Sequence, residues 1–244
     1  MTDRPSILVP VRVLEGESIP EGVPELLANA HVVLLGYHVI PDQTAPGQAR
    51  MQFEERATQR LDEYETMFED AGATVEQRLV FTHDGQKTID RTIAQYDCLA
   101  ALVPNATGPP DDVLVAVRGA VGIDRLVRAV AGLFADTGTA VTLYHAADAD
   151  ETDDDVRTIL DGVVDRLVDL GMDGSAIRTR IERDREPLDA IVDAAEAFDA
   201  VVMGESDPSL ATFVFGMPAE QVAERFLGPV LVVQREPAAA DEEQ

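Results

Sequence analysis

The sequence predicts an α/β fold made of two consecutive open parallel sheets that share one order of elements. Two observations carry this prediction. Short apolar runs alternate along the chain with segments whose apolar residues recur every three or four positions, which is typical of strands joined by helices. The alternation then starts again after residues 104–112, a stretch rich in turn formers and without periodicity.

In the first half, the clearest element is a helix from about residue 47 to residue 71. Leu61, Tyr64 and Phe68 fall on one face of it, and Gly72 supplies a C-terminal cap. The other predicted elements of this half are strands at residues 7–11, 32–35, 75–81 and 99–103 and a shorter helix around residues 89–96.

In the second half, a helix at residues 153–170 has Val156, Val163 and Leu167 on one face. Carboxylates at residues 153–155 lie at its positive end. The other predicted elements are strands at residues 113–117, 140–144, 177–181, 201–203 and 230–233, and helices around residues 126–134, after Pro187 and after Pro218.

The two halves also repeat short sequences. Residues 7–12 (ILVPVR) match residues 113–118 (VLVAVR), Tyr37-His38 matches Tyr144-His145, and Tyr96-Asp97 matches Phe198-Asp199, at offsets of 106, 107 and 102 residues. Such similar offsets indicate a duplicated domain whose first copy ends after its fourth strand. The predicted division is a degenerate first domain at 1–104, a linker at 105–112, a second domain at 113–234 and a disordered tail at 235–244.

The charge of the chain excludes several classes of partner. Asp and Glu number 46 against 19 Lys and Arg, for a net charge of -27, so nucleic acid and anionic membrane surfaces are poor partners. No apolar run reaches membrane-spanning length, the first thirty residues lack a basic and then apolar leader, and the one cysteine, Cys98, excludes an intrachain disulfide. We expect a cytoplasmic protein.

The same acidic composition resembles that of salt-adapted haloarchaeal proteins, with an acidic mesophile protein as the alternative. Asp outnumbers Glu, and Arg outnumbers Lys eighteen to one.

The order of elements, from an opening V-P-V strand to a closing glycine-containing loop, helix and apolar strand, resembles the universal stress protein family in tandem form. The resemblance spans nearly the whole chain and is most specific at residues 202–220 (VMGESDPSLATFVFGMPAE). It implies a Rossmann-like fold similar to that of the adenine-nucleotide alpha hydrolases. It also implies ATP or AMP binding outside the carboxyl ends of the strands, mostly without an established reaction.

The family's phosphate loop reads G-x2-G-x9-G followed by Ser or Thr. Gly204 and Gly216 match its first and third glycines, but Asp207 replaces the second glycine and Met217 replaces the hydroxyl residue. Both departures weaken the expected nucleotide site, which we place in the second half. Its expected nucleotide- or anion-binding residues are Ala116, Arg118, His145, Gly204, Ser206, Asp207, Gly216 and Met217.

Two repeated residue types at the strand ends leave alternatives open. Arg12 and Arg118 stand where nucleotide-binding relatives usually carry an acidic residue. In one alternative each arginine pairs with a nearby carboxylate or spans the interface between the halves. In the other, Arg118 faces a phosphate or another small anion, and an extension of this idea is an anion site framed by both arginines. His38 and His145 either cap their strands or act as a metal ligand or base. No Cys-x2-Cys or His-x3-His spacing occurs, so we predict no metal and no catalytic residue.

The resemblance to the universal stress protein family implies two functions, and a third is considered beside them. The first is a regulatory or protective module that responds to a small anionic metabolite or nucleotide, and the second is a nucleotide-free scaffold acting through protein contacts, for example with a transporter. The third, an enzyme that hydrolyses ATP, lacks a lysine-bearing phosphate loop. The closing strand Val230–Val233 is expected at a sheet edge, where it would support a homodimer.

Overall fold

The computed structural model describes residues 4–118, 122–148, 150–183, 185–204 and 228–234, and it confirms the predicted α/β class. The strands are β1 (Ser6–Arg12), β2 (His31–Val39), β3 (Thr74–Thr82), β4 (Ala100–Val103), β5 (Asp112–Ala116), β6 (Ala140–Ala146), β7 (Ile177–Glu182), β8 (Ala200–Gly204) and β9 (Val230–Val233). The helices are α1 (Val23–Leu26), α2 (Pro46–Ala71), α3 (Gly85–Gln95), α4 (Ile123–Phe134), α5 (Asp153–Asp169) and α6 (Pro187–Ala195), with a 3-10 turn at Gly174–Ala176.

All nine of these strands belong to one sheet, in the order β3-β2-β1-β4-β9-β8-β5-β6-β7. Within the first half the order is β3-β2-β1-β4, and read from the opposite edge the second half has the same order, β7-β6-β5-β8. Neighbouring strands are parallel except β4 and β9, which are antiparallel. The two halves therefore share a single mixed sheet instead of keeping separate ones.

The sheet is buried at its centre because its central strands are continuous apolar runs covered on both faces. Val9, Leu102, Val115 and Leu231 are fully buried in one apolar cluster that draws on both halves. Strands of this kind are expected where helices lie on both sides of a parallel sheet. The halves therefore have a common core.

The outermost strands have a different character. Strand β3 alternates exposed and partly buried residues, and β7 exposes Arg178 and Arg180. Charged side chains on an edge strand discourage further pairing. These two strands form the outer edges of the sheet within the described ranges.

Helix α1 was not predicted from the sequence. It has a single turn, whereas α4, which follows the first strand of the second half, has 12 residues. One turn is too short to show a periodic pattern. Residues 13–22, between β1 and α1, form turns and irregular loop.

The predicted linker is packed against both halves, and on the first half the Thr107 amide donates to the carbonyl of Glu21 at 3.1 Å. The Thr107 hydroxyl donates to the carbonyl of Asp199 at 2.7 Å, and the Asn105 amide donates to the carbonyl of Gly228 at 3.2 Å. The Asp199 carboxylate accepts hydrogen bonds from the amides of Asp111 and Asp112 at 3.0 and 2.9 Å. Strand β5 begins at Asp112, the last residue of the predicted linker.

The placement of the closing strand differs from the prediction. Val230–Val233 does not lie at an edge, because β9 pairs with β8 on one side and with β4 on the other. A strand that is hydrogen-bonded on both sides offers no unpaired backbone groups to a second chain. The expected homodimer through Val230–Val233 therefore has no free strand edge to use.

Candidate functional site

The crevice of interest lies at the carboxyl ends of β5 and β8, where the order of the strands reverses. From β5 the chain proceeds outward through β6 and β7, while β8 and β9 lie on the other side of β5. Ala116 pairs in register with Met203, and Gly204 ends β8 directly beyond it. Ligands of open α/β sheets bind at this kind of switch point. The described part of the predicted site is thus brought together on neighbouring strands.

Arg118 follows β5 at the mouth of this crevice. Its guanidinium donates to the Asp148 carboxylate at 3.1 Å, and the side chain is 31% exposed. Asp148 follows β6, so the pair bridges the ends of two adjacent strands. This contact agrees with the alternative in which the arginine pairs with a nearby carboxylate.

His145 lies near the end of β6 and is 1% exposed. Its Nε2 is 2.9 Å from a carboxylate oxygen of Glu151, and the same oxygen accepts a hydrogen bond from the amide of Asp148 at 2.8 Å. An ionised carboxylate can only accept, so Nε2 carries the hydrogen in this contact. Nδ1 is buried and has no hydrogen-bond partner in the described part of the chain. The arrangement fits the strand-capping alternative.

Glu151 is the functional-site residue that the sequence did not single out. Burial acts to raise its pKa, but the hydrogen bonds from His145 and from the Asp148 amide outweigh burial, so the pKa lies below its ordinary value. Glu151 therefore stays ionised and holds the loop after β6. Its only sequence signal is its place six residues after His145 in an acidic stretch.

The first half has a related cluster at the end of β1. Arg12 donates from Nε to the Tyr37 hydroxyl at 3.1 Å and from a terminal nitrogen to Glu15 at 3.4 Å, while its backbone amide donates to Glu17 at 2.7 Å. The hydrogen bond to Tyr37 and the nearby carboxylates raise the pKa of Arg12. Nδ1 of His38 lies 3.8 Å from a carboxylate oxygen of Glu15. Both repeated arginines are thus paired with carboxylates.

The proposed anion site shared by Arg12 and Arg118 does not form. In the antiparallel pair, Ala100 at the start of β4 lies opposite Val233 at the end of β9, which is level with Gly204 at the end of β8. The carboxyl ends of the two halves therefore point to opposite ends of the sheet. The sequence repeat alone could not show this orientation.

The remaining predicted site residues, Ser206, Asp207, Gly216 and Met217, lie outside the described residues, as do the helix predicted after Pro218 and the tail at 235–244. Among the residues that the structure does describe, no group of three or more His, Cys, Asp or Glu side chains is placed to hold a metal ion. Cys98 is buried, and this burial raises the pKa of its thiol to about 11. Its thiol is therefore protonated near neutral pH.

No helix in the described ranges has the length and apolar character needed to cross a bilayer.

The fold defines an α/β protein whose strand order reverses at β5 and β8 within a largely parallel sheet. The sequence model of the universal stress protein family matches residues 110–234, which is half of the chain. The chain therefore belongs to the universal stress protein family.

One solved structure agrees with this assignment at the level of the fold. A universal stress protein from Archaeoglobus fulgidus is similar with a TM-score of 0.63 and 18% identity, covering 95% of this chain and 97% of that chain. A crystal structure of a universal stress protein in complex with cAMP covers 51% of this chain and 96% of that chain, with 23% identity and a TM-score of 0.39. A search of curated proteins gave no significant match.

Proposed function

We propose that this protein is a non-catalytic regulatory or protective module that binds an adenine nucleotide or another small anion in its second half. The observation that carries the proposal is the register of Ala116 with Met203, which brings two small residues, Ala116 and Gly204, to the carboxyl ends of the neighbouring strands β5 and β8. Small residues at this point let a ligand approach the backbone closely, as phosphate binding requires.

Arg118 supports the anionic character of the ligand. Its ion pair with Asp148 is partly exposed, and exposed ion pairs contribute only about 0–1 kcal/mol. A phosphate or carboxylate that reaches the mouth of the crevice can compete with Asp148 for the guanidinium. Its planar, forked donors suit either group.

A second candidate, a nucleotide-free scaffold that acts through protein contacts, for example with a transporter, is favoured by a different observation. His145 and Glu151 already hydrogen-bond to one another beside the crevice. Asp207 and Met217 also depart from the phosphate-loop pattern, which weakens nucleotide binding. In this candidate the crevice residues hold the fold and bind no ligand.

Two further properties belong to the proposal. The common strand order of the halves supports descent from a duplicated universal stress protein domain. The net charge of -27 supports work in a cytoplasm of high salt, where dense carboxylates are screened.

The deciding experiment combines mass spectrometry of small molecules released from the purified protein with calorimetric titration of ATP, AMP and cAMP in KCl. We expect Arg118→Glu to weaken nucleotide binding about tenfold or more, because it replaces a charge-assisted donor with a like charge. Arg178→Glu is the matched control: it makes the same change of charge on the edge strand β7, where Arg178 pairs with Asp112.

Recovery of a bound nucleotide together with selective loss in Arg118→Glu would support the ligand-binding module. Protein that carries no small molecule and gives no heat with any of the three nucleotides would favour the scaffold. Equal weakening in both variants would show a general effect of charge and would count against the role of Arg118.

A further inference from the structure

A cavity of about 290 Å³ lies in the first half, between the loop after β1 and helix α2. Val13, Leu14 and Gly16 line it from the loop side, and Arg56, Gln59 and Arg60 line it from the helix. The loop belongs to the segment between β1 and α1, and α1 has a single turn. It is separate from the crevice at β5 and β8, which is in the other half of the sheet.

The loop that forms one wall is held in place from two sides. The hydroxyl of Tyr64, a residue of α2 that is 3% exposed, donates to the carbonyl of Glu17 at 2.7 Å. The carboxylate of Glu17 in turn accepts from the backbone amide of Arg12 at 2.7 Å. Because these contacts fix the loop on the helix, a ligand would enter a preformed cavity and would not have to order its wall.

The helix side of the cavity carries the polar groups. Arg60 is held by its Nε hydrogen bond to Tyr64 at 2.9 Å and by its ion pair with Glu63 at 3.1 Å. Arg56 precedes Arg60 by one turn and so lies on the same face. Within the described ranges the Arg56 guanidinium forms no ion pair or hydrogen bond, although the chain has 46 carboxylates. Its donors are therefore available to an incoming anion.

The surroundings of Arg56 decide which anion fits. The volume is at the low end of small-molecule sites, which suits a ligand smaller than a nucleotide. Glu63, the ion-pair partner of Arg60, also lines the cavity, and its negative charge repels a multiply charged phosphate more strongly than a singly charged carboxylate. Val13 and Leu14 offer an apolar wall opposite the helix. A singly charged head with a short apolar chain matches all three features.

We propose that this cavity binds a short-chain carboxylate, with its head on Arg56 and Gln59 and its apolar chain against Val13 and Leu14. The site does not depend on nucleotide binding in the second half. The first half of the chain, which lacks a glycine loop, would thus bind a different class of ligand from the second half.

The test is a titration of the full, isotope-labelled chain with pentanoate at constant KCl, followed by NMR through the backbone amide of Gly16. Inorganic phosphate is titrated in parallel. We expect a saturable shift with pentanoate and a weaker or absent one with phosphate. Arg56→Ala should weaken pentanoate binding about tenfold, as expected for a lost charge-assisted hydrogen bond.

Arg91→Ala is the matched control, because Arg91 is also exposed on a helix, α3, away from this cavity. It should leave the pentanoate titration unchanged. No saturable shift at Gly16, equal weakening in both variants, or tighter binding of phosphate than of pentanoate would each overturn the proposal. Because the readout is Gly16, these outcomes are distinct from a failure of nucleotide binding, which calorimetry measures in the second half.

Discussion

Val103, the last residue of β4, lies opposite Val230, the first residue of β9, and this antiparallel pairing joins the two halves into one sheet. The same strand β9 is parallel to β8 on its other side. The first half has no closing strand of its own in the described ranges, so one strand serves as the neighbour of both fourth strands. The halves should therefore depend on each other for stability.

The first prediction tests this dependence with Leu231→Ala. Leu231 is fully buried in β9 and packs in the cluster common to both halves, so we expect a loss of about 2–5 kcal/mol in the free energy of unfolding. Denaturant unfolding should be followed by circular dichroism, which reports on the whole chain, and by tyrosine fluorescence. Three of the four tyrosines, Tyr37, Tyr64 and Tyr96, belong to the first half, and the chain has no tryptophan.

Both signals should shift together in Leu231→Ala, because a change in the second half also destabilises the first. Met51→Ala, at a side chain that is 85% exposed, should leave the unfolding curve almost unchanged. A fluorescence transition that stays in place while the circular dichroism splits into two steps would contradict the common core.

Sequence patterns predicted the elements well where the pattern was local. The apolar run 230–233 was assigned as a strand with the bounds that the structure has, and α2 was predicted within one residue of its ends. The position of β9 in the sheet could not be predicted in the same way. It depends on hydrogen bonds to β4, more than a hundred residues away, which no local pattern encodes.

The site was predictable to a similar extent. The repeated Tyr-His pair was predicted at the end of a strand, and His145 does lie near the end of β6, one residue beyond Tyr144, which pairs with Ala116 of β5. Its partner Glu151 could not be distinguished by sequence from the many other carboxylates nearby. The separation of Arg12 from Arg118 follows from the antiparallel joint, which is again a long-range feature.

The second prediction concerns the docking of the linker on the first half. Gly22 has φ +82, and a Cβ there would meet the carbonyl oxygens of Thr107 and Gly108. We expect Gly22→Ala to lower the free energy of unfolding by about 1–2 kcal/mol for the left-handed backbone and by about 1–3 kcal/mol more for the displaced linker.

Gly16→Ala is its control, because Gly16 has a similar φ of +85 but open space around its Cβ position. That variant should show only the backbone cost of about 1–2 kcal/mol. Equal losses in the two variants, measured by urea unfolding, would show that residues 104–111 do not press on Gly22.

The third prediction follows from the net charge of -27. Surface carboxylates repel one another over a Debye length of roughly 30 Å at 0.01 M salt and roughly 3 Å at 1 M salt, so screening should stabilise the fold. We expect the melting temperature to rise by about 4 °C or more between dilute buffer and molar KCl, since 2–4 °C corresponds to about 1 kcal/mol in a chain of this size. Sucrose at equal osmolality is the control and should give a smaller rise in melting temperature. A melting temperature that does not change with KCl would show that screening of the surface carboxylates does not stabilise the fold.

The fourth prediction concerns the pair formed by the buried His145 and the partly exposed Glu151. The pKa of Glu151 is lowered in the folded state, so its contribution to stability is present above its unfolded pKa of about 4.3 and is lost as the pH falls through the lower folded value. Glu151→Gln should therefore cost about 1–3 kcal/mol near neutral pH, and the difference from the parent protein should shrink below about pH 4. Glu55→Gln, at an exposed position on α2, should show almost no difference at any pH.

Because each comparison is made at one pH, the general effect of protonating the acidic surface largely cancels. Urea unfolding of all three proteins across this pH range is the measurement, and a difference that stays constant down to acidic pH would show that the charge of Glu151 does not stabilise the fold.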